Sequence, residues 1–142
     1  MIVYNERIGF RLSLELLTGL QTMMEQAVPG EENASLSRYI RSVVSTYLQS
    51  GKAEKIFLSG KATETLVATK ALSKSRTKVL RIDSELIAEM GELKDGLASM
   101  AWLRTTDIIR AILWDHVMVW SGQKTIDDFC KVYTSAFAPA LG

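Results

Sequence analysis

Polar and apolar positions divide the chain into two similar halves. Residues Arg7-Ile8-Gly9-Phe10-Arg11-Leu12 alternate polar or small with apolar, the period-2 pattern of a half-buried strand with Ile8, Phe10 and Leu12 facing inward. Ser13 is suited to cap a helix, and Leu16, Leu17, Leu20, Met23 and Met24 follow at helical spacing, which predicts a helix near 14–27. Pro29-Gly30 ends it, and Glu31-Glu32-Asn33-Ala34 reads as a polar turn. Ser35 or Ser37 caps the next helix, whose apolar face is Ile40, Val43, Val44, Tyr47 and Leu48, and Gly51 closes it.

The second half follows the same order. Thr77-Lys78-Val79-Leu80-Arg81-Ile82 reads as a strand, Asp83 as a cap, and Leu86, Ile87, Met90, Leu93 and Leu97 as a helix face. A turn near 101–104 leads to a helix with Ile109, Ile112, Leu113, His116, Val117 and Trp120 on one side. The halves also share residues. Arg11-Leu12-Ser13-Leu14-Glu15-Leu16 returns as Arg81-Ile82-Asp83-Ser84-Glu85-Leu86, and the stretch from Leu36 aligns, with a one-residue slip, against that from Thr105.

Two segments lie outside this repeat. In 50–76, residues 61–72 are expected to be helical and Ile56-Phe57-Leu58 extended; in 121–142, Ile126, Phe129, Cys130, Tyr133 and Phe137 fall on one helical face. The expected organisation is a single domain over 1–142: a strand-helix-helix repeat at 6–49, a basic, partly helical linker at 50–76, a second repeat at 77–120 and a helical tail at 121–142.

Composition narrows the class. A chain of 142 residues with 47% hydrophobic and 23% charged residues has the apolar content of one globular domain. Its formal charge of +1 gives no whole-chain reason to expect a nucleic-acid partner. That near-neutrality averages unlike regions: 52–81 carries eight basic and two acidic residues, the remainder nine basic and fourteen acidic. The single Cys130 has no disulfide partner within the chain, residues 1–7 lack a basic-then-apolar leader pattern, and no apolar run approaches the ~18 residues of a spanning helix. These features lead us to expect a cytoplasmic location with no membrane contact.

An isolated strand with one apolar face leaves backbone groups unpaired, so the two strands are expected to pair as an antiparallel ribbon. Its outward parity would carry Arg7, Gly9 and Arg11 from one strand and Thr77, Val79 and Arg81 from the other. A solvated ribbon needs only generic polar residues; three arginines at one parity suggest a binding role. The major groove of B-DNA admits a two-stranded ribbon, and Arg pairs with guanine O6 and N7. In these residues the chain resembles the ribbon-helix-helix family, the Arc and MetJ type of ribbon readers, over about 6–49 and 77–120. The tandem arrangement is similar to the accessory DNA-binding proteins of conjugative relaxosomes.

The resemblance implies a mainly α fold with a two-stranded antiparallel ribbon, in which two ribbon-helix-helix repeats of one chain form a pseudo-twofold intramolecular pair. It implies sequence-specific binding of double-stranded DNA, as an accessory protein in conjugative transfer or a transcriptional regulator. Base contacts would come from Arg7, Gly9, Arg11, Thr77, Val79 and Arg81. Phosphate contacts would come from the second-helix starts, Ser35, Leu36 and Ser37 and then Arg104, Thr105 and Thr106. The basic run Lys74, Arg76 and Lys78 is a further phosphate-contact candidate. The partners implied are duplex DNA, a relaxase or other DNA-processing protein, and further copies of the chain on DNA. Gly9 and Val79 depart from a base-reading chemistry, and Lys78 falls on the nominally inward parity. Because the two strands differ, the expected site is non-palindromic.

The plainer alternatives set limits. The arginines also fit a solvated strand face, and Arg38, Arg41 and Arg110 suit either phosphates or acidic side chains. His116 has no second ligand at metal spacing and reads as a core or boundary residue, and Cys130 as a small buried one. No Gly-rich phosphate loop or nucleophile motif is present, so neither catalysis nor a cofactor nor a metal site is expected. Trp102, Trp114 and Trp120 read as core or boundary aromatics. The rival function is a helical protein-protein adaptor that docks through Ile126, Phe129, Tyr133 and Phe137 and keeps the ribbon as a purely structural element.

Overall fold

The computed structural model describes residues 6–27, 36–69, 75–82, 84–97, 103–126, 128–129 and 131. In chain order these form β1 (Glu6–Ser13), α1 (Leu14–Ala27), α2 (Leu36–Ser50), α3 (Lys52–Leu58), α4 (Lys61–Thr69), β2 (Ser75–Ile82), α5 (Ser84–Gly96) and α6 (Thr105–Ser121). β1 and β2 pair antiparallel, with Glu6 opposite Ile82, Arg7 opposite Arg81, Ile8 opposite Leu80, Gly9 opposite Val79, and so on to Ser13 opposite Ser75. The pairing satisfies the main-chain groups along the facing edges of both strands.

Strand passes directly into helix at Ser13, whose Oγ accepts a hydrogen bond from the Leu16 N–H at 3.2 Å and so fills one of the vacancies left at a helix start. Leu12, the strand's last apolar residue, is buried with Leu16, Leu20, Met23 and Met24 of α1. Tyr47 joins Ile40, Val43 and Val44 as the buried face of α2, and Leu86 and Met90 do the same for α5.

The centre of the molecule is α6. Its buried residues, Ile108, Ile109, Ala111, Ile112, Leu113, Trp114 and Val117, exceed what a single amphipathic stripe would hold. The reason is that α1, α2, α3, α4, α5 and β1 all pack against it. Close approach by α1 depends on Gly19. A Cβ there would stand 2.9 Å from both Val117 Cγ1 and Phe129 Cζ, too near for either to remain in place. Phe129, fully buried, meets Trp114 edge to face at 5.6 Å between centroids.

The segment between the halves is a packed part of the core. Gly51 (φ 79°) and Gly60 (φ 81°) take the left-handed backbone that glycine adopts without a Cβ penalty, and so separate α2, α3 and α4 by tight turns. Phe57, Ala62 and Leu66 then enter the common core. Burying Phe57 alone contributes about 1.5–3 kcal/mol.

This arrangement corrects the expected fold class. The described chain is a six-helix assembly with one strand pair, organised around α6. A pseudo-twofold pair of ribbon-helix-helix repeats does not describe it, because α3 and α4 have no counterpart among the described residues of the other half and pack into the shared core. Ile56-Phe57-Leu58 is helical rather than extended, since Ala53, Ile56 and Phe57 recur at the spacing that puts them on one buried helix face. The second strand begins at Ser75, within the expected linker. Among the described residues no helix is long and apolar enough to cross a membrane.

Candidate nucleic-acid interface

Leu12 is 1% exposed and points the β1 parity it belongs to at the core. Arg7, Gly9 and Arg11 hold the other parity. The register places them opposite Arg81, Val79 and Thr77 respectively, so the six expected base-contacting residues form three directly paired positions. Lys78 lies opposite Phe10 and Arg76 opposite Leu12. The register therefore separates these two cations from the Arg7 set. Lys74 and Ser35 lie outside the described residues.

The two helix starts expected at phosphates differ in charge. The first turn of α2 has no acidic residue, and Leu36 there is half-buried against the core. The unpaired N–H groups and positive dipole end of a helix start favour an anion. At α6 that position is already served. Asp107 Oδ2 accepts the Arg104 N–H at 3.0 Å, and Asp107 Oδ1 pairs with Arg110 Nη1 at 2.8 Å. Arg104 is exposed and Thr105 and Thr106 half-exposed, but a phosphate approaching them meets the Asp107 carboxylate.

A polar cluster joins α2, α3, α4 and α6. Tyr47 Oη donates to Asp115 Oδ2 at 2.7 Å, and Lys61 Nζ from α4 pairs with Asp115 Oδ1 at 2.9 Å. Lys52 Nζ of α3 stands 5.6 Å from the centre of the Tyr47 ring. Tyr39 Oη and His116 Nε2 are hydrogen-bonded at 3.0 Å. Burial raises the pKa of the Tyr47 hydroxyl far above its usual value, with the Asp115 hydrogen bond and charge adding to it, so Tyr47 stays a donor. Burial lowers the pKa of His116, opposed by Asp115 and assisted by Lys52. The cluster thus clamps helices together through a protonated phenol and an imidazole that burial disposes against taking a proton. Among the described residues no group of three or more His, Cys, Asp or Glu could hold a metal ion.

Sequence reading placed Tyr47 on an apolar face and did not single out Asp115 or Lys61. The available signal was Asp115-His116 interrupting the otherwise apolar run of α6. The adaptor face expected in the tail is corrected as well. Ile126 and Phe129 are buried in the chain's own core and offer no docking surface, while Cys130, Tyr133 and Phe137 lie outside the described residues. Trp114 is a core residue, Trp120 is half-buried against the core, and Trp102 lies outside the described residues. A groove of about 540 Å³ runs between α4 and the C-terminal end of α6, with the Lys61–Asp115 pair in its wall. No family model, curated protein or solved structure matches the chain.

Proposed function

We propose that the chain binds double-stranded DNA by laying the β1–β2 ribbon in the major groove, with Arg7, Arg11 and Arg81 as the main base-reading residues. The observation that supports this most is the register: it sets Arg7 opposite Arg81 and Arg11 opposite Thr77, all on the parity opposite to buried Leu12. A two-stranded ribbon fits the major groove, and guanidinium groups there pair bidentately with guanine. The acid-free start of α2 supports a phosphate contact at Leu36 and Ser37; the start of α6 is the weaker candidate. The resemblance in the repeat residues favours an accessory role in conjugative DNA transfer, beside a relaxase, with transcriptional regulation as the other use. Footprinting on the DNA that flanks the coding sequence separates them.

The test compares wild type with the triple variant Arg7→Ala, Arg11→Ala, Arg81→Ala on duplex DNA over a salt series. Circular dichroism establishes that the variant is folded. Wild type is expected to lose affinity steeply as salt rises, because phosphate contacts release counterions. At a specific site each lost bidentate contact costs about 1–3 kcal/mol. Equal binding by the two proteins would sink the reading.

A further inference from the structure

The sequence repeat and the strand register place the same centre in the ribbon, although one is read from residue identities and the other from backbone pairing. In sequence, Arg11 corresponds to Arg81, Glu15 to Glu85 and Leu16 to Leu86, an offset that also matches Gly9 with Val79 and Arg7 with Thr77. In the ribbon, Gly9 lies opposite Val79, its own counterpart, and Arg7 lies opposite Arg81, the counterpart of Arg11. A ribbon of two identical strands would pair like with like at the centre and show the same pair at both ends. Here the ends differ: Arg7 with Arg81 at one, Arg11 with Thr77 at the other.

Resting on the DNA-binding reading above, we infer that the chain recognises a duplex site of two unequal halves around one centre, and that Thr77 is the residue that makes them unequal. The Arg7/Arg81 end has the chemistry for two guanine contacts and the Arg11/Thr77 end for one. At the centre Gly9 has no side chain to read a base, and valine at 79 can meet only a thymine methyl group. Four residues at ~3.3 Å each separate the two ends by roughly 13 Å, about four base steps of ~3.4 Å.

The experiment is selection of binding sites from a randomised duplex pool by the full chain and by two single variants, each first verified as folded. Wild type is expected to select a short site with a guanine-rich half and a weaker half. Thr77→Arg puts arginine pairs at both ends, so its consensus should become an inverted repeat, bound on the order of tenfold more tightly than the unequal site. Arg81→Thr leaves one arginine at each end, so it too should select an inverted repeat, bound more weakly than the wild-type site. A perfect inverted repeat selected by wild type would overturn the inference. So would folded variants that keep the wild-type consensus. Failure of wild type to enrich any sequence, with no salt-dependent duplex binding, overturns the DNA-binding reading itself and the inference with it.

Discussion

The Tyr47 hydroxyl reaches from α2 to Asp115 Oδ2 on α6 at 2.7 Å, and Lys61 of α4 holds the other oxygen of the same carboxylate at 2.9 Å. One acidic residue thus ties three helices. Tyr47→Phe removes a hydrogen bond to a charged acceptor within a largely buried site, a change worth about 1.5–3 kcal/mol. Tyr39→Phe removes a neutral partner of His116 and should cost less, about 0.5–1.5 kcal/mol. Urea denaturation of the two variants checks the order; equal midpoints would contradict it.

His116 gives stability a pH dependence. Its pKa in the folded chain is lowered from 6.5 by burial, with Asp115 opposing and Lys52 assisting. The unfolded chain therefore takes up this proton first as pH falls. The contribution is complete above about pH 6.5 and is lost as pH drops through the folded-state value. His116→Gln should flatten the urea midpoint between pH 7.5 and 5.5; an unchanged slope would show that other groups control it.

Two glycines in helices should respond oppositely to alanine. At Gly91 of α5 a Cβ meets nothing within 4 Å, so Gly91→Ala should stabilise by up to ~1 kcal/mol through helix propensity. At Gly19 the same propensity gain is outweighed by contacts at 2.9 Å with Phe129 and Val117, and overpacking of this kind costs about 1–3 kcal/mol. Thermal unfolding distinguishes the signs.

On the DNA-binding reading, Asp107 is expected to trade stability against affinity for duplex. Asp107→Asn weakens the cap at Arg104 and the pair with Arg110, a loss of about 0.5–2 kcal/mol in stability. The same change removes a negative charge from the start of α6 and should tighten binding to random duplex at low salt. Weaker binding by the folded variant would place that helix start away from phosphate.

What could be read from sequence follows from what local pattern encodes. The helix predicted near 14–27 has the observed bounds Leu14–Ala27, because Ser13 carries its cap within the chain segment itself. The strand over Arg7–Leu12 was readable from alternation alone. The helical state of Ile56-Phe57-Leu58 was not, since a short apolar run fits a strand as well as a buried helix until its packing partners are known. For the same reason Ile126 and Phe129 looked like a docking face: an amphipathic pattern says that a face is covered, and only tertiary packing says by what. The Tyr47–Asp115–Lys61 clamp joins residues far apart in sequence and on three helices, and no local spacing announces it.

Both strands of the ribbon, Glu6–Ser13 and Ser75–Ile82, belong to one polypeptide. Ribbon formation is therefore a unimolecular event that dilution does not reverse, and on the DNA-binding reading occupancy of a site by one ribbon would rise with the first power of protein concentration. A defective allele expressed beside the normal one cannot form mixed ribbons with it through this pairing, so defects confined to the strands should be recessive.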